Sequence, residues 1–304
     1  MGMTVVIAGG SGFLGQNLAR YLIDQDRKVV LLSRSEPQSN PGWTFVPWDG
    51  ENLGDWADCL HGAQAVVNLA GRSVDCIKNA DNRRQIFHSR VRTTEILGEA
   101  VRRIQTPPPT WVQMSTAHIY GDPPSGIYDE ESELGEGLAP DVGRAWEAAF
   151  AKAVLPQMRQ VILRTSFVLG RSGGAVPRMA SLARKGLGGR AGHGRQGISW
   201  LHELDMNRLF VRAIDDPNMS GMYVATAPNP VSNAEFMAAM RSALAVRIGL
   251  PALSWMVRIG APLLMKTDPE LALLGRYCVS KRLADEGFEF KFSQIQPAMN
   301  DVLA

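Results

Sequence analysis

The chain has 304 residues, 45% of them hydrophobic and 20% charged, enough to bury a substantial core in one large domain or in two lobes sharing a cleft. Thirty-two basic against 30 acidic residues leave a formal net charge of +2, which argues against a nucleic-acid or membrane partner. The three cysteines, Cys59, Cys76 and Cys278, form no CxxC pair and no metal-ligand spacing, so the sequence implies no metal and reduced thiols in a cytoplasmic protein.

The first element is the most informative. Thr4 to Gly15 reads Thr-Val-Val-Ile-Ala-Gly-Gly-Ser-Gly-Phe-Leu-Gly: a β-branched run, then Gly9, Gly12 and Gly15, then a helical pattern through Leu14, Leu18, Tyr21 and Leu22. Strand, glycine turn and helix start together make a diphosphate cradle. The glycines let a pyrophosphate approach bare backbone, and the N–H groups of the helix start, at Phe13 and Leu14, favour its charge. No leader-like segment precedes this strand, and Val6 stands where an N-myristoylation motif opening Met1-Gly2 would need Ser or Thr.

Lys28–Ser33 reads as a second buried strand and Gln64–Leu69 as a third. A long helix follows from about Asn82 to Arg103, with Ile86, Val91, Thr94, Leu97 and Val101 on one side. Trp111–Ser115 is a fourth strand, Val142–Leu155 a helix and Val161–Leu163 a fifth strand. Strands separated by helical patterns imply a parallel sheet with right-handed crossovers. After Gly170 the character changes. Gly186–Gly197, rich in Gly and Arg, reads as a mobile loop. Helices are expected near Leu204–Ile214, Asn233–Ala245 and Pro297–Leu303, and a strand at Met222–Ala225. Leu250–Met265 is apolar, but Pro251, Arg258 and Pro262 interrupt it, so it reads as a core or interface helix rather than a membrane span.

The second strand also bears on the cofactor. An acid about 20 residues beyond the glycines would hold the ribose hydroxyls of NAD. This strand ends Leu32-Ser33-Arg34-Ser35. Ser33 can donate to a 2′-phosphate, and Arg34 can pair with it and stack on adenine, so NADP(H) is the expected cofactor.

These motifs resemble the extended short-chain dehydrogenase/reductases, a group that includes sugar-nucleotide epimerases and dehydratases. Asn68-Leu69-Ala70-Gly71 is similar to the motif that closes the group's third strand and lines the cofactor cleft. Ser115-Thr116-Ala117-His118-Ile119-Tyr120-Gly121 resembles its fourth-strand motif, which gives Thr116 the substrate-contacting hydroxyl position and Tyr120 a structural one. Leu163-Arg164-Thr165-Ser166 resembles the segment that passes near the nicotinamide. A narrower likeness runs to the "epimerase family protein" subgroup, some members of which carry a cell-division-inhibitor label. Ser89-Arg90, Gly194-Arg195-Gln196 with Ser199-Trp200-Leu201-His202, Ala227-Pro228-Asn229-Pro230, and Lys281-Arg282-Leu283 with Gly287-Phe288-Glu289-Phe290 carry it. The resemblance implies cofactor contacts from Gly9, Gly12, Phe13, Leu14, Gly15, Ser33, Arg34, Leu69, Ala70, Gly71, Arg90, Ser115, Arg164 and Thr165.

The wider family catalyses with Tyr-x-x-x-Lys on the helix after the fourth strand. Here that helix opens Asp141-Val142-Gly143-Arg144-Ala145-Trp146-Glu147 and has no tyrosine. Tyr277 and Lys281 have the spacing but lie far down the chain, where it is chance. A glutamate in the lysine's place cannot lower a phenol's pKa, because its charge has the wrong sign.

Candidate catalytic residues are therefore Thr116 and Ser115, whose hydroxyls either polarise a carbonyl or cap the following turn, and Glu147, either a general base or an ordinary helix glutamate. Arg90 either reaches the pyrophosphate or is a solvated helix arginine. His118 reads as structural, Asp205 beside His202 as a helix N-terminal residue, and Trp200 as pocket wall or core. Arg190, His193 and Arg195, among glycines, suit either an anionic substrate group or a plain surface loop.

The resulting expectation is an α/β, Rossmann-type doubly wound parallel sheet over residues 1–170, with added segments from about 200–225. A smaller, mainly helical lobe over 171–304 closes on it. The function expected is an NADP(H)-dependent oxidoreductase or epimerase-like enzyme acting on a small, anionic substrate. The alternative is an NADPH-bound regulatory protein without turnover. Neither reading excludes an oligomer.

Overall fold

A computed structural model describes residues 3–122 and 126–304; the Met1-Gly2 pair lies outside the described residues. In chain order the elements are β1 (Thr4–Ala8), α1 (Phe13–Ile23), β2 (Lys28–Ser33), β3 (Thr44–Pro47), β4 (Ala65–Asn68), α2 (Ala80–Arg103), β5 (Thr110–Thr116), β6 (Ile127–Tyr128), α3 (Leu138–Ala153) and β7 (Arg159–Thr165). There follow β8 (Phe167–Leu169), α4 (Val176–Leu182), β9 (Gly197–Ile198), β10 (Trp200–His202), α5 (Glu203–Asp215), β11 (Gly221–Ala225), β12 (Val231–Ser232) and α6 (Asn233–Ala243). The chain ends with α7 (Ser254–Gly260), α8 (Glu270–Leu273), β13 (Tyr277–Cys278), α9 (Lys281–Asp285) and α10 (Ile295–Leu303).

Seven strands form one sheet in the order β11-β7-β5-β4-β1-β2-β3, every pair parallel. Side-chain alternation explains why both faces are covered. Val5 and Ile7 of β1 pack with Leu18 and Leu22 of α1 and Leu209 and Phe210 of α5. Val6 and Ala8 turn the other way, onto Ile96, Leu97 and Val101 of α2 and Phe150 of α3. The strand order reverses between β1 and β4, and a crevice at the carboxyl ends of those strands is where ligands of such sheets bind.

The expected strands and the long helices are present, with the first turn of α2 capped by the Asn79 side chain, which accepts from Asn82 N. Two expectations are corrected. Gly186–Gly197 is not a free loop. Leu250 N donates to Gly186 O, Ala252 N to Arg190 O and Gly192 N to Ala252 O, and Ala191 N donates to Asn233 Oδ1 at the start of α6. Nor is Leu250–Met265 a core helix: it holds only α7, none of whose residues is buried, and a π-helical turn over Ala261–Met265. The short edge strand β3 was not anticipated. It follows Pro41-Gly42 and is only half-buried, so neither length nor alternation marks it. Among the described residues no helix is long and apolar enough to cross a membrane.

Candidate functional site

The glycine turn after β1 is held by its own packing. Gly9 has φ +77°, and a Cβ there would lie 2.7 Å from Ala70 N, so only glycine permits the close approach of β1 and β4. Gly15 is closed likewise: a Cβ would meet Gly10 at 2.7 Å. Gly12 differs, because a Cβ there would find only Gly9 O at 3.4 Å and open space beyond. Gly12 is also the N-cap of α1, and no side chain caps it. The leading N–H groups of α1, those of Phe13, Leu14 and Gly15, therefore face the crevice without a capping side chain, as an anion requires. The Phe13 ring turns away and packs on Gly170 and Gly173, and Leu14 joins the core, so both offer backbone rather than side chain.

At the end of β2 the two candidates part company. Ser33 is buried and its hydroxyl donates to Ser35 O at 2.8 Å, which stabilises the turn. Arg34 is exposed. It borders a cavity of about 320 Å³ lined with Pro47, Trp48, Asp49, Asn52, Leu53 and Trp56. Trp48 and Trp56 pack 5.2 Å apart, and Asp49 is held below the usual carboxylate range by hydrogen bonds from Glu51 N and from Asn52. Sequence reading missed this ring-sized pocket because β3, which delivers Trp48 and Asp49, was not seen. The Trp48-Asp49 pair after the apolar Val46 was the available signal.

On the β4 side, Leu69 N donates to Ala8 O and Ala70 N to Asn68 Oδ1. Arg90 reaches back from α2 to lie beside Gly71, donating to Arg72 O and Ile86 O and stacking 5.0 Å above Trp146. It has no carboxylate partner among the described residues, and burial pushes its pKa down to about 10. Lys78, in the same loop, donates to the Val74 and Cys76 carbonyls. Burial lowers its pKa against the opposing charges of Cys76, Asp268 and Asp75.

The fourth-strand motif brings three expected residues together. Ser115 and Arg164 face each other across the β5–β7 register, as do Thr116 and Thr165. Glu147 accepts from Ser115 Oγ at 2.6 Å, from Arg164 Nε at 2.9 Å and, on its other oxygen, from Arg164 Nη2 at 2.9 Å. The remaining guanidinium nitrogen donates to Tyr120 Oη at 2.9 Å. Burial alone would lower the Arg164 pKa, but the Glu147 hydrogen bonds and charge override it and hold it above its usual value. Burial pushes the Tyr120 phenol up to about 12. This is a closed, bidentate ion-pair cluster. It occupies three of the four acceptor sites of the Glu147 carboxylate, and it makes Tyr120 structural.

Thr116 Oγ1 accepts from His118 N, so the capping reading of its hydroxyl holds while its proton stays available. Thr165 Oγ1 is directed at Met114 Sδ and Leu163 O. His118 follows in the one-turn helix Ala117–Tyr120. Its ring has no hydrogen-bond partner among the described residues, and burial, with the charges of Arg276 and Lys78, holds its pKa well below the usual value. The remaining candidates lie outside this cluster. Tyr277 donates to Arg195 O while Lys281 pairs with Glu131, so these two do not act together. Trp200 is fully buried core. Asp205, also fully buried, fastens the tail by accepting from Lys291 N and Phe292 N. Arg190 donates to Gly192 O and His193 O.

A sequence model of the NAD dependent epimerase/dehydratase family matches residues 5–224. The chain is 29% identical over 306 residues to the human epimerase family protein SDR39U1, covering 99% of this chain and 100% of that one. It is 32% identical over 298 residues to epimerase family protein Mb2239 of Mycobacterium bovis, covering 97% and 96% respectively. Among solved structures, human SDR39U1 (isoform 2) with NADPH matches with a TM-score of 0.87 at 29% identity, covering 99% of both chains. A nucleoside-diphosphate sugar epimerase from Corynebacterium glutamicum matches with a TM-score of 0.78 at 31% identity, covering all of this chain and 58% of that one.

Proposed function

The chain belongs to the NAD dependent epimerase/dehydratase family, and from that membership we propose that it is an NADP(H)-dependent oxidoreductase acting on a small substrate without a tyrosine–lysine pair. The observation that carries this reading is the uncapped start of α1 at Gly12, behind a turn that only glycine permits at Gly9. The diphosphate sits there, the adenine in the cavity of Arg34, Trp48 and Asp49, and the 2′-phosphate against Arg34. Human SDR39U1, crystallised with NADPH, supports the same cofactor. We assign residues 1–170, with added segments from about 200–225, to the cofactor domain and the rest of residues 171–304 to the substrate lobe, in a cytoplasmic protein whose three thiols are free.

The nicotinamide supplies the hydride chemistry when bound. Arg90 and Lys78, cations without carboxylate hydrogen-bond partners among the described residues, draw an anionic group into the crevice. Thr116 Oγ1 orients the reacting oxygen. His118, neutral and with unpartnered ring nitrogens, takes the substrate hydroxyl proton in the oxidising direction and returns it in the other. Ser115, Glu147 and Arg164 position the end of β5.

The test follows NADPH absorbance, with product analysis, against a panel of ketones, aldehydes and quinones. Turnover that falls by about 10²–10⁴ in His118→Gln, and drops in Thr116→Ala, with NADPH affinity unchanged, is the expected result. Tight NADPH binding with no product from any substrate overturns it in favour of a cofactor-bound regulator, which the closed Glu147–Arg164 pair also fits.

A further inference from the structure

The carboxyl-terminal part of the molecule carries a charge asymmetry that the total hides. There is no carboxylate from Ala148 to His202, and none from Phe236 to Thr267. The backbone bonds from Leu250 and Ala252 to Gly186 and Arg190 lay these two stretches side by side. The first brings Arg184, Lys185, Arg190 and Arg195 to the surface, and the second Arg247, Arg258 and Lys266, all exposed. Among the described residues none of these seven cations forms an ion pair, and neither stretch holds a carboxylate that could neutralise them. The flanking acids are already engaged: Glu235 in the capping box of α6, Asp268 by Glu270 N.

The same surface is apolar. Leu187, Ile248, Leu250, Trp255, Ile259 and Leu263 are exposed, Ile248 at 67%, Trp255 at 61% and Leu263 at 73%. No residue of α7 is buried against the rest of the chain. Single exposed leucines need no explanation, but a contiguous set does. Unpaired cations interleaved with exposed aliphatics and a tryptophan match an anionic phospholipid surface. The cations meet the headgroups, the apolar side chains enter the acyl boundary and the indole sits between. A nucleic acid would use the charge and leave the aliphatics in water.

We propose that the surface formed by residues 184–195 and 247–266 is a peripheral docking site for anionic phospholipid bilayers. The contact is interfacial, since no described helix spans a membrane, and it does not depend on the cofactor assignment. The expectation of no membrane partner rested on the net charge of +2, an average over a surface that is locally all positive.

Trp255 makes the test direct. Of seven tryptophans, the other six are buried. The full-length protein is mixed with vesicles of phosphatidylcholine, or of phosphatidylcholine with phosphatidylglycerol, both with brominated acyl chains. Indole fluorescence and vesicle flotation are recorded at low salt and at about 0.5 M salt. Quenching and flotation with the anionic vesicles only, reversed by salt, are expected. Trp255→Phe removes the quenching and keeps the flotation. Arg247→Gln with Arg258→Gln weakens binding by roughly 25-fold, about fivefold per charge, with the thermal midpoint unchanged. No quenching, or equal quenching by neutral vesicles, overturns the proposal. So does a doubled mass in solution by light scattering without vesicle binding, which would assign the face to a second copy of the chain. Should the charge variants misfold, the comparison of vesicles on the native protein decides alone.

Discussion

Glu147 and His118 show how far residue types alone can be read. Both sit by the fourth-strand motif, and the sequence offered the first as either a base or an ordinary helix glutamate and the second as structural. In the structure Glu147 meets Ser115 and Arg164, while the His118 ring meets no hydrogen-bond partner among the described residues. No periodicity in the sequence reports that Arg164, on β7, reaches the helix α3. Removing the charge of Glu147 leaves a buried guanidinium half-satisfied, so Glu147→Gln is expected to destabilise the fold by about 1.5–3 kcal/mol. Urea denaturation measures it, and unchanged stability with abolished turnover would return Glu147 to catalysis. The depressed His118 pKa has a fixed sign. The folded state prefers the neutral ring, so its contribution is complete above the unfolded value of about 6.5 and is lost as pH falls below it. Stability should therefore begin to decline as pH falls through about 6.5 and go on declining down to the depressed folded-state pKa. His118→Gln should flatten part of that decline, with His202, also lowered by burial, supplying the remainder. An identical slope in the variant would contradict the burial of a neutral ring.

At the scale of elements, β1, the glycine turn and α1 were legible because local sequence fixes them: β-branched residues, glycines at required positions, then a 3.6-residue pattern. Their fine roles are steric and equally local. Gly9→Ala places a Cβ 2.7 Å from Ala70 N at a φ of +77°. It should cost more than about 1 kcal/mol of stability and abolish cofactor binding, both read in a thermal melt with and without NADPH. Retained binding would mean that the turn is looser than its packing implies. β3 and α7 were illegible for opposite reasons. β3 is a short, half-exposed edge with weak alternation. α7 is apolar enough to look like core, yet none of its residues is buried, and no sequence pattern distinguishes a buried apolar segment from an exposed one.

Considered whole, the molecule is a sheet whose carboxyl edge gathers the glycine cradle, the Arg34 cavity, the Arg90–Lys78 cations and the β5 motif from segments more than a hundred residues apart in sequence. That the sheet is parallel was legible from alternating elements; the cation asymmetry of the carboxyl-terminal part was not, because a total charge averages it away. Ligand linkage ties cofactor binding to stability: saturating NADPH, at about a hundredfold above its dissociation constant, should add about 2.7 kcal/mol. Calorimetric titration of the purified protein and of Arg34→Ala with NADPH and NADH tests it most directly. The native protein should prefer NADPH, and the variant should lose roughly ten- to a hundredfold in NADPH affinity with NADH nearly unchanged. No heat with either nucleotide, or an equal loss for both, would contradict it.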